Sequence, residues 1–526
     1  MTTLEIVKEN NKRYNEGDVR YIIVCKREEV NMRRSKLLAL VLSASMVLSL
    51  VGCGAKTADN KPADNEAVET VEETETTEET TEATEEETEP KYEKGGKQVI
   101  VYYPNWYLGE SSQGEVGSIS WDAVTIVNHA FFEVYPADGT TDSTFDWRSA
   151  ENEPRTEFAC VSTYPEADFE DQEKSEFNDE PRNHFSQYAV YSEMYPDVKI
   201  MISVGGWTDC GFFSEMCYTE EGRASFIQSC VDLMKDYPFI DGIDIDWEYP
   251  AGDPDGERWP EDDSDEGCPI WGTANEDNAN YEALLTEMRD AFDAEFGAGE
   301  KMITSCASGS TGWTLPCQDW EAFAPHLDFI NIMTYDLAGT WDGVTGHASS
   351  QAATKSAIAY FVNRGIPSTK LNIGSPMYST WFKVKGDTMP SSVVNVEIDT
   401  TAHINGDSNT ADATLGWEKE AVKGYTYDIV NGEYVFGEKF DNSENDTVKG
   451  WNFGYDKIAG ATYLYNNDPE SDYYMWYVSY ENPLTLQLKL DMINRYKCAG
   501  IIVWESTEDT DDHLLVNWMD EYLNGK

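Results

Sequence analysis

Residues 239–250 read Phe239-Ile240-Asp241-Gly242-Ile243-Asp244-Ile245-Asp246-Trp247-Glu248-Tyr249-Pro250. The Ile-rich run predicts a buried strand, yet acids stand at every second position from 244 to 248. Side chains two apart on a strand share a face, so Asp244, Asp246 and Glu248 form one row, while Ile243, Ile245 and Trp247 face the other way. Asp241 has the opposite parity and falls outside the row. One unpaired buried charge is costly and three in a line are worse. The row must therefore be hydrogen-bonded, partly protonated or open to a ligand, which makes this strand a candidate site.

Seven further apolar runs read as strands: Val99–Tyr103, Thr125–Phe132, Val198–Val204, Met302–Ala307, Phe329–Thr334, Leu371–Pro376 and Gly500–Trp504, with the acid strand at Gly242–Trp247 fourth in order. Stretches with helical spacing lie between them, among them Arg223–Lys235, Asn280–Phe296, Ala352–Arg364 and Leu484–Tyr496. Eight strands alternating with helices predict an α/β fold, a (β/α)8 TIM barrel, with its active site at the carboxyl ends of the strands. Glu248 ends its run, so the acid row leads to that mouth. Two intervals break the count. Residues 137–197 are acidic and Pro-rich and read as a loop excursion forming one wall. Residues 379–482 contain Tyr425–Tyr427, Glu433–Phe436, Ala461–Tyr465 and Met475–Ser479, whose alternating aromatic and β-branched residues predict antiparallel strands. This interval reads as a small α+β insertion domain between strands 7 and 8.

Composition narrows the ligand. The 526 residues carry a formal net charge of -60, which excludes an electrostatic case for nucleic acid, whose phosphates need clustered Lys and Arg. Sixteen Trp, thirty Tyr and twenty Phe fill the core and leave rings to stack on a neutral polymer such as a sugar chain. No Cys-x-x-Cys or His-x-x-x-His spacing points to zinc. The acidic run Glu261–Glu266 lacks the Asp-x-Asp-x-Asp-Gly spacing of a calcium loop; it reads as a solvated loop, and no metal or cofactor is expected. Cys210 and Cys217, like Cys306 and Cys317, are near enough in sequence to pair if geometry allows.

Met32 to Lys36 supplies a short basic region, Leu37–Val51 an apolar one, and Leu50-Val51-Gly52-Cys53 a lipoprotein box, so residues 32–53 read as a signal with lipidation at Cys53. The apolar run is shorter than the ~20 residues a membrane span needs. Residues 1–31 do not fit ahead of such a signal and read as a non-structural extension, with Met32 the expected start. Residues 54–96, nearly all Thr, Glu, Ala, Asp, Asn and Lys, are too polar and like-charged to fold and predict an extended tether. The protein is expected on the outer face of a bacterial membrane or secreted, with the folded part at 97–526. Nothing in the sequence demands more than a monomer.

The motifs together resemble the family 18 glycoside hydrolases, the chitinase family. Asp241, Asp244, Asp246 and Glu248 complete the signature Asp-x-x-Asp-x-Asp-x-Glu. Ser203-Val204-Gly205-Gly206-Trp207 resembles the third-strand motif, Met333-Thr334-Tyr335-Asp336 the sixth, Tyr102-Tyr103-Pro104-Asn105-Trp106 the first, and Gly500–Glu505 the eighth. The resemblance implies hydrolysis of β-1,4-linked N-acetylglucosamine polymers by a retaining, substrate-assisted mechanism, in which the sugar's own acetamido oxygen is the nucleophile. It implies Glu248 as acid and base, Asp246 as the acetamido clamp, Asp244 as a proton partner and Tyr335 as a donor to the acetamido oxygen. Asp336 and Trp504 would line the reacting subsite, with Tyr102, Phe132, Trp207, Trp341 and Met333 as further wall residues. Trp207 and Met333 also fit plain barrel packing, and Asp241 reads as a strand-entry residue. The alternatives within the same barrel are an endo-β-N-acetylglucosaminidase acting on glycoprotein or cell-wall glycan, and an inactive chitin-binding lectin, which would typically have lost Glu248.

Overall fold

A computed structural model describes residues 96–108, 114–135, 156–171, 183–252, 270–404, 451–509 and 513–525, and the backbone of five short strands, Thr3–Lys8, Tyr21–Lys26, Thr410–Ala411, Thr426–Asp428 and Glu433–Val435. The expected signal with Cys53, the tether and the acidic loop at Glu261–Glu266 lie outside the described residues. The chain divides into two units, Met1–Glu85 and Glu86–Lys526. In the first, within the stretch read as a non-structural extension, Thr3–Lys8 and Tyr21–Lys26 pair antiparallel.

The second unit is built on eight parallel strands: β1 (Gln98–Pro104), β2 (Ile126–Val134), β3 (Lys199–Gly205), β4 (Ile240–Asp246), β5 (Met302–Ser308), β6 (Phe329–Met333), β7 (Leu371–Pro376) and β8 (Gly500–Trp504). Each pairs with its sequence neighbours, and β8 pairs with β1, closing a (β/α)8 barrel. Helices α1 (His184–Met194), α2 (Glu220–Asp236), α3 (Ala274–Phe296), α4 (Gln351–Val362), α5 (Pro483–Tyr496) and α6 (Leu514–Asn524) lie between or after the strands. Their starts are fixed by side chains that take up otherwise unpaired backbone N–H groups: Thr219 caps α2, Thr273 α3, Ser350 α4, and Asn482 α5.

Alternation along the strands sorts two cores. Val99, Val101, Ile243, Ile245 and Trp247 belong to the layer between barrel and helices, whereas Ile100, Tyr102, Ile126, Met201, Met302, Phe329 and Ile502 fill the barrel. Burying each large apolar side chain is worth roughly 1.5–3 kcal/mol, and this outward-facing set on β4 holds the opposite, acidic face in register. Asp241 is at the other end of β4, where it takes hydrogen bonds from Lys199 Nζ at 3.1 Å and from the Ile200 backbone N–H at 3.0 Å.

The interval 137–197 is more than a loop. It includes α1 and a short strand, Cys160–Ser162, added antiparallel to the end of β2. Phe185 and Tyr188 pack α1 into the outer core, a spacing of three that the polar residues around it conceal. In the interval between β7 and β8, Ser379–Lys383, Trp451–Asp456, Ala461–Asn466 and Trp476–Ser479 form an antiparallel sheet with Thr410–Ala411 at its edge. Thr426–Asp428 pairs with Glu433–Val435. The loop after β6 is seamed to this sheet: His347 contacts Asp456 at 3.2 Å and Tyr477 Oη at 3.1 Å.

Candidate active site

β4 delivers its acid row from the barrel interior to the mouth in three steps of increasing exposure. Asp244 is fully buried and surrounded by donors. Its Oδ2 accepts from Tyr102 Oη and Ser203 Oγ, both at 2.9 Å; its Oδ1 accepts from Thr304 Oγ1 at 2.5 Å and Asn331 Nδ2 at 3.1 Å. Burial raises this carboxyl, and the four donors oppose the rise. Asp246 is also buried, but its Oδ1 has no hydrogen-bond partner. Burial, then the charges of Glu248 and Asp244, push it well above the ordinary range. Glu248 is half-buried at the end of the row. Burial raises it from 4.5 to about 7, against a hydrogen bond from Tyr249 and with a further push from Asp336.

The neighbouring strands make room for this arrangement. Gly205 ends β3 at φ 109°, and a Cβ there would lie 2.4 Å from the Asp246 carbonyl, so only glycine permits the approach. The next N–H, of Gly206, donates to that same carbonyl at 2.8 Å. Cis peptide bonds occur at Ala130–Phe131, within β2, and at Glu248–Tyr249 and Trp504–Glu505, at the carboxyl ends of β4 and β8.

Tyr335, just past β6, is nearly buried, and burial followed by the charges of Asp246 and Glu248 raises its phenol well above 10. It is a neutral hydroxyl donor beside the acids. Asp336 is open to solvent within the mouth, yet the protein around it raises its carboxyl. Met333 is half-buried against the inner core. Trp504 is half-buried at the end of β8 and stacks on Phe131, with centroids 5.4 Å apart and planes at 15°; Trp106 lies 6.4 Å away. These three rings make an aromatic floor. Trp207 is exposed, with Trp313 6.4 Å from it, and Trp313 meets Tyr249 edge-on at 5.5 Å. Trp341 is 68% exposed on the loop after β6.

Two expected wall residues are corrected. Phe132 is fully buried in the outer core, where it packs against His129, Phe169 and Phe185. The ladder between β2 and β3 slips between Ala130 and Phe132, so the extra residue, Phe131, turns into the mouth instead, as a β-bulge does. Tyr102 is 2% exposed and serves as a donor to Asp244 rather than a wall. Phe131, Trp106 and Trp313 are site residues that reading the sequence missed. Trp106 stood within the quoted first-strand motif, whereas no local signal marked the bulge. Cys306 is a buried free thiol near the Trp247 carbonyl, 3.7 Å away, and is not joined to Cys317; Cys210 Sγ instead points to the Glu248 carbonyl at 3.4 Å.

One cluster has metal-ligating residue types: His129, Asp168 and His184, all fully buried behind β2. Asp168 accepts from both imidazoles at 2.9 Å, from Ser162 Oγ at 2.5 Å and from Asn105 Nδ2 at 3.3 Å, while Tyr188 Oη meets His129 Nδ1 at 3.1 Å. The His184 Nε2 atom has no partner. A metal on Nδ1 would leave a buried N–H unpaired there, whereas a neutral ring donating from Nδ1 leaves only a bare lone pair, the smaller cost. The cluster is a hydrogen-bonded brace between β2 and α1.

Comparison with known proteins agrees with this architecture. Residues 98–509 match the family model described as Glycosyl hydrolases family 18. Chitinase ChiA of Flavobacterium johnsoniae is 26% identical over 467 residues, covering 79% of this chain and 27% of that protein. Chitinase A1 of Niallia circulans is 26% identical over 447 residues, covering 79% of this chain and 57% of that protein. The chain thus spans well under two thirds of these relatives' own length. Among solved structures, chitinase ChiA74 from Bacillus thuringiensis superposes with a TM-score of 0.61 at 23% identity, over 82% of this chain and 70% of that one. Ostrinia furnacalis Group IV chitinase gives 0.60 at 22%, over 82% and 99%.

Proposed function

Because the chain belongs to glycosyl hydrolases family 18, we propose that it hydrolyses β-1,4-linked N-acetylglucosamine polymers such as chitin, with retention and with the substrate's acetamido group as nucleophile. The observation that carries the reading is Glu248, a carboxyl raised to about 7 at the end of a row of buried acids. At neutral pH it holds a proton for the glycosidic oxygen and can later take one from water. All the acids of the row stand on one strand, which suits a reaction in which the sugar brings its own nucleophile.

Asp246 Oδ1, without a partner in the protein, is the acceptor left over for the acetamido N–H. As positive charge develops on the ring formed by acetamido oxygen and anomeric carbon, an ionised Asp246 stabilises it. Its proton then has a destination in Asp244, because three of the four donors around that carboxyl are hydroxyls, and hydroxyls can turn from donor to acceptor. Tyr335 donates to the acetamido oxygen and fixes its direction of attack. Trp504, Phe131 and Trp106 offer the sugar an apolar floor, and Trp207, Trp313 and Trp341 extend it along the mouth.

The proposed setting is extracellular, with the barrel held to a membrane by lipid at Cys53 and the residue 54–96 tether, as a monomer. Product analysis tests the activity: the purified protein should release N-acetylated oligosaccharides from chitin oligomers, and not from a glycoprotein or peptidoglycan run in parallel. Release from the glycoprotein alone would make it an endo-N-acetylglucosaminidase, and binding without release a lectin.

A further inference from the structure

Tyr335, the hydroxyl proposed to donate to the acetamido oxygen, lies just past the end of β6, beyond its pairing with β7. The ladder between β6 and β7 stops at Ile332 opposite Ile373, two residues before Thr334 and one before Gly374. Beyond that point the two chains are joined by side chains. Thr334 Oγ1 donates to the Gly374 carbonyl at 2.8 Å, and Ser349 Oγ donates to the Thr334 carbonyl at 2.6 Å. Both links converge on one ammonium. Lys489 Nζ, on α5, donates to Ser349 Oγ and to the Gly374 carbonyl, each at 2.7 Å, and its third donor meets Glu481 Oε2. Ser375 Oγ adds a donor to that carboxylate at 3.1 Å.

Lys489 is 1% exposed and Glu481 5%. Such an ion pair is costly to bury and gives little net stability over an apolar pair. Here it does something an apolar pair could not: one ammonium holds the Gly374 carbonyl directly and the Thr334 carbonyl through Ser349. The ring of Tyr335 rests directly on this clamp, since a Cβ at Gly374 would lie 2.8 Å from Tyr335 Cε1.

We propose that the buried Lys489–Glu481 pair, acting through Ser349 and Gly374, is the positioning device that aims the Tyr335 hydroxyl at the reacting acetamido group. The claim rests on the chitinolytic reading of the site for its kinetic consequence. It does not rest on it for its geometry.

The experiment is a mutant cycle on the full-length protein with a chitin oligomer. Ser349→Ala cuts the relay while leaving the ion pair intact, and Lys489→Met removes the clamp. Misaiming a catalytic contact by about 1 Å costs up to ~100-fold in rate, so kcat should fall roughly 10- to 100-fold in Ser349→Ala with KM changed little. Combined with Tyr335→Phe, Ser349→Ala should cost nothing further, because the group it aims is gone. A Ser349→Ala enzyme with parental kcat, or losses that multiply with Tyr335→Phe, would overturn the proposal. If Lys489→Met does not fold, Ser349→Ala, alone and with Tyr335→Phe, still decides the matter. Should the parent protein leave chitin untouched, the activity reading falls by itself. The aiming claim is then decided by a crystal structure of Ser349→Ala, in which an unmoved Tyr335 hydroxyl refutes it.

Discussion

Asp244 and Asp246 are two residues apart on one strand, yet their carboxyls have opposite surroundings. Asp244 has a donor for each lone pair it needs, whereas Asp246 Oδ1 has none. The donors around Asp244 favour its charged form over that of Asp246, which burial and its acidic neighbours push further up, and Glu248 titrates near neutrality. Activity should be full while Glu248 keeps its proton and decline about tenfold per pH unit above about 7, read as kcat/KM against pH. Stability should move the same way. The folded protein keeps a proton on Glu248 up to about 7 that the unfolded chain loses near 4.5, so this contribution is complete below about pH 4.5 and is lost as pH rises through 7. Glu248→Gln should abolish hydrolysis, retain oligosaccharide binding, and melt at a higher temperature than the parent at pH 8. The gap, on the order of 1–3 kcal/mol, should close below pH 5. Differential scanning calorimetry at the two pH values checks it. The row itself was legible in the sequence, because alternation puts even-numbered acids on one face whatever the rest of the fold does. The role of Tyr102 was not, since a Tyr on an inward face can equally be wall or donor until Asp244 is seen against it.

At the scale of elements, β2 shows where strand periodicity ends. Ile126 and Ala130 face into the barrel and Val127 faces the helices, as strict alternation demands. Alternation carried on would put Phe132 in the mouth; the slip after Ala130 puts Phe131 there. The two adjacent phenylalanines should therefore part in their effects. Phe132→Ala should cost roughly 3–5 kcal/mol of stability, as for other buried aromatics, with kinetics little changed in the surviving fold. Phe131→Ala should raise KM for short oligomers several-fold while shifting the melting temperature less. A reversal of that pattern would mean the register is misread. Bulges depend on how neighbouring strands meet, so a single strand's sequence does not announce one. The eight barrel strands, by contrast, are long apolar runs, and their order was readable. α1 was hidden because its buried face is made of only a few aromatics among polar residues.

Across the whole molecule, the barrel and its order follow from the alternation of apolar runs with helical spacing, while the course of the interval between β7 and β8 depends on pairings distant in sequence. The seam of His347 with Asp456 and Tyr477 fixes the loop carrying Trp341 against that sheet. Trp341→Ala should thus weaken long oligomers more than short ones, as the ratio of kcat/KM values for hexamer and trimer would report. The proposed anchor has its own test. Cys53→Ser should move the protein from the membrane fraction to the medium while its specific activity in solution stays parental; a protein that fractionates unchanged would remove the lipid from the account.

Asp244 has one more consequence, in time rather than in space. Its four donors come from β1, β3, β5 and β6, at sequence separations of 142, 41, 60 and 87 residues. No fragment or partly closed sheet can complete that set, and contacts so distant in sequence form late. During refolding from denaturant, helical signal should recover ahead of hydrolysis, and hydrolysis should return only with the last phase, when the first strand meets the eighth. Activity built on this set of donors is all-or-none: a half-made barrel is not a weak catalyst but an inert one.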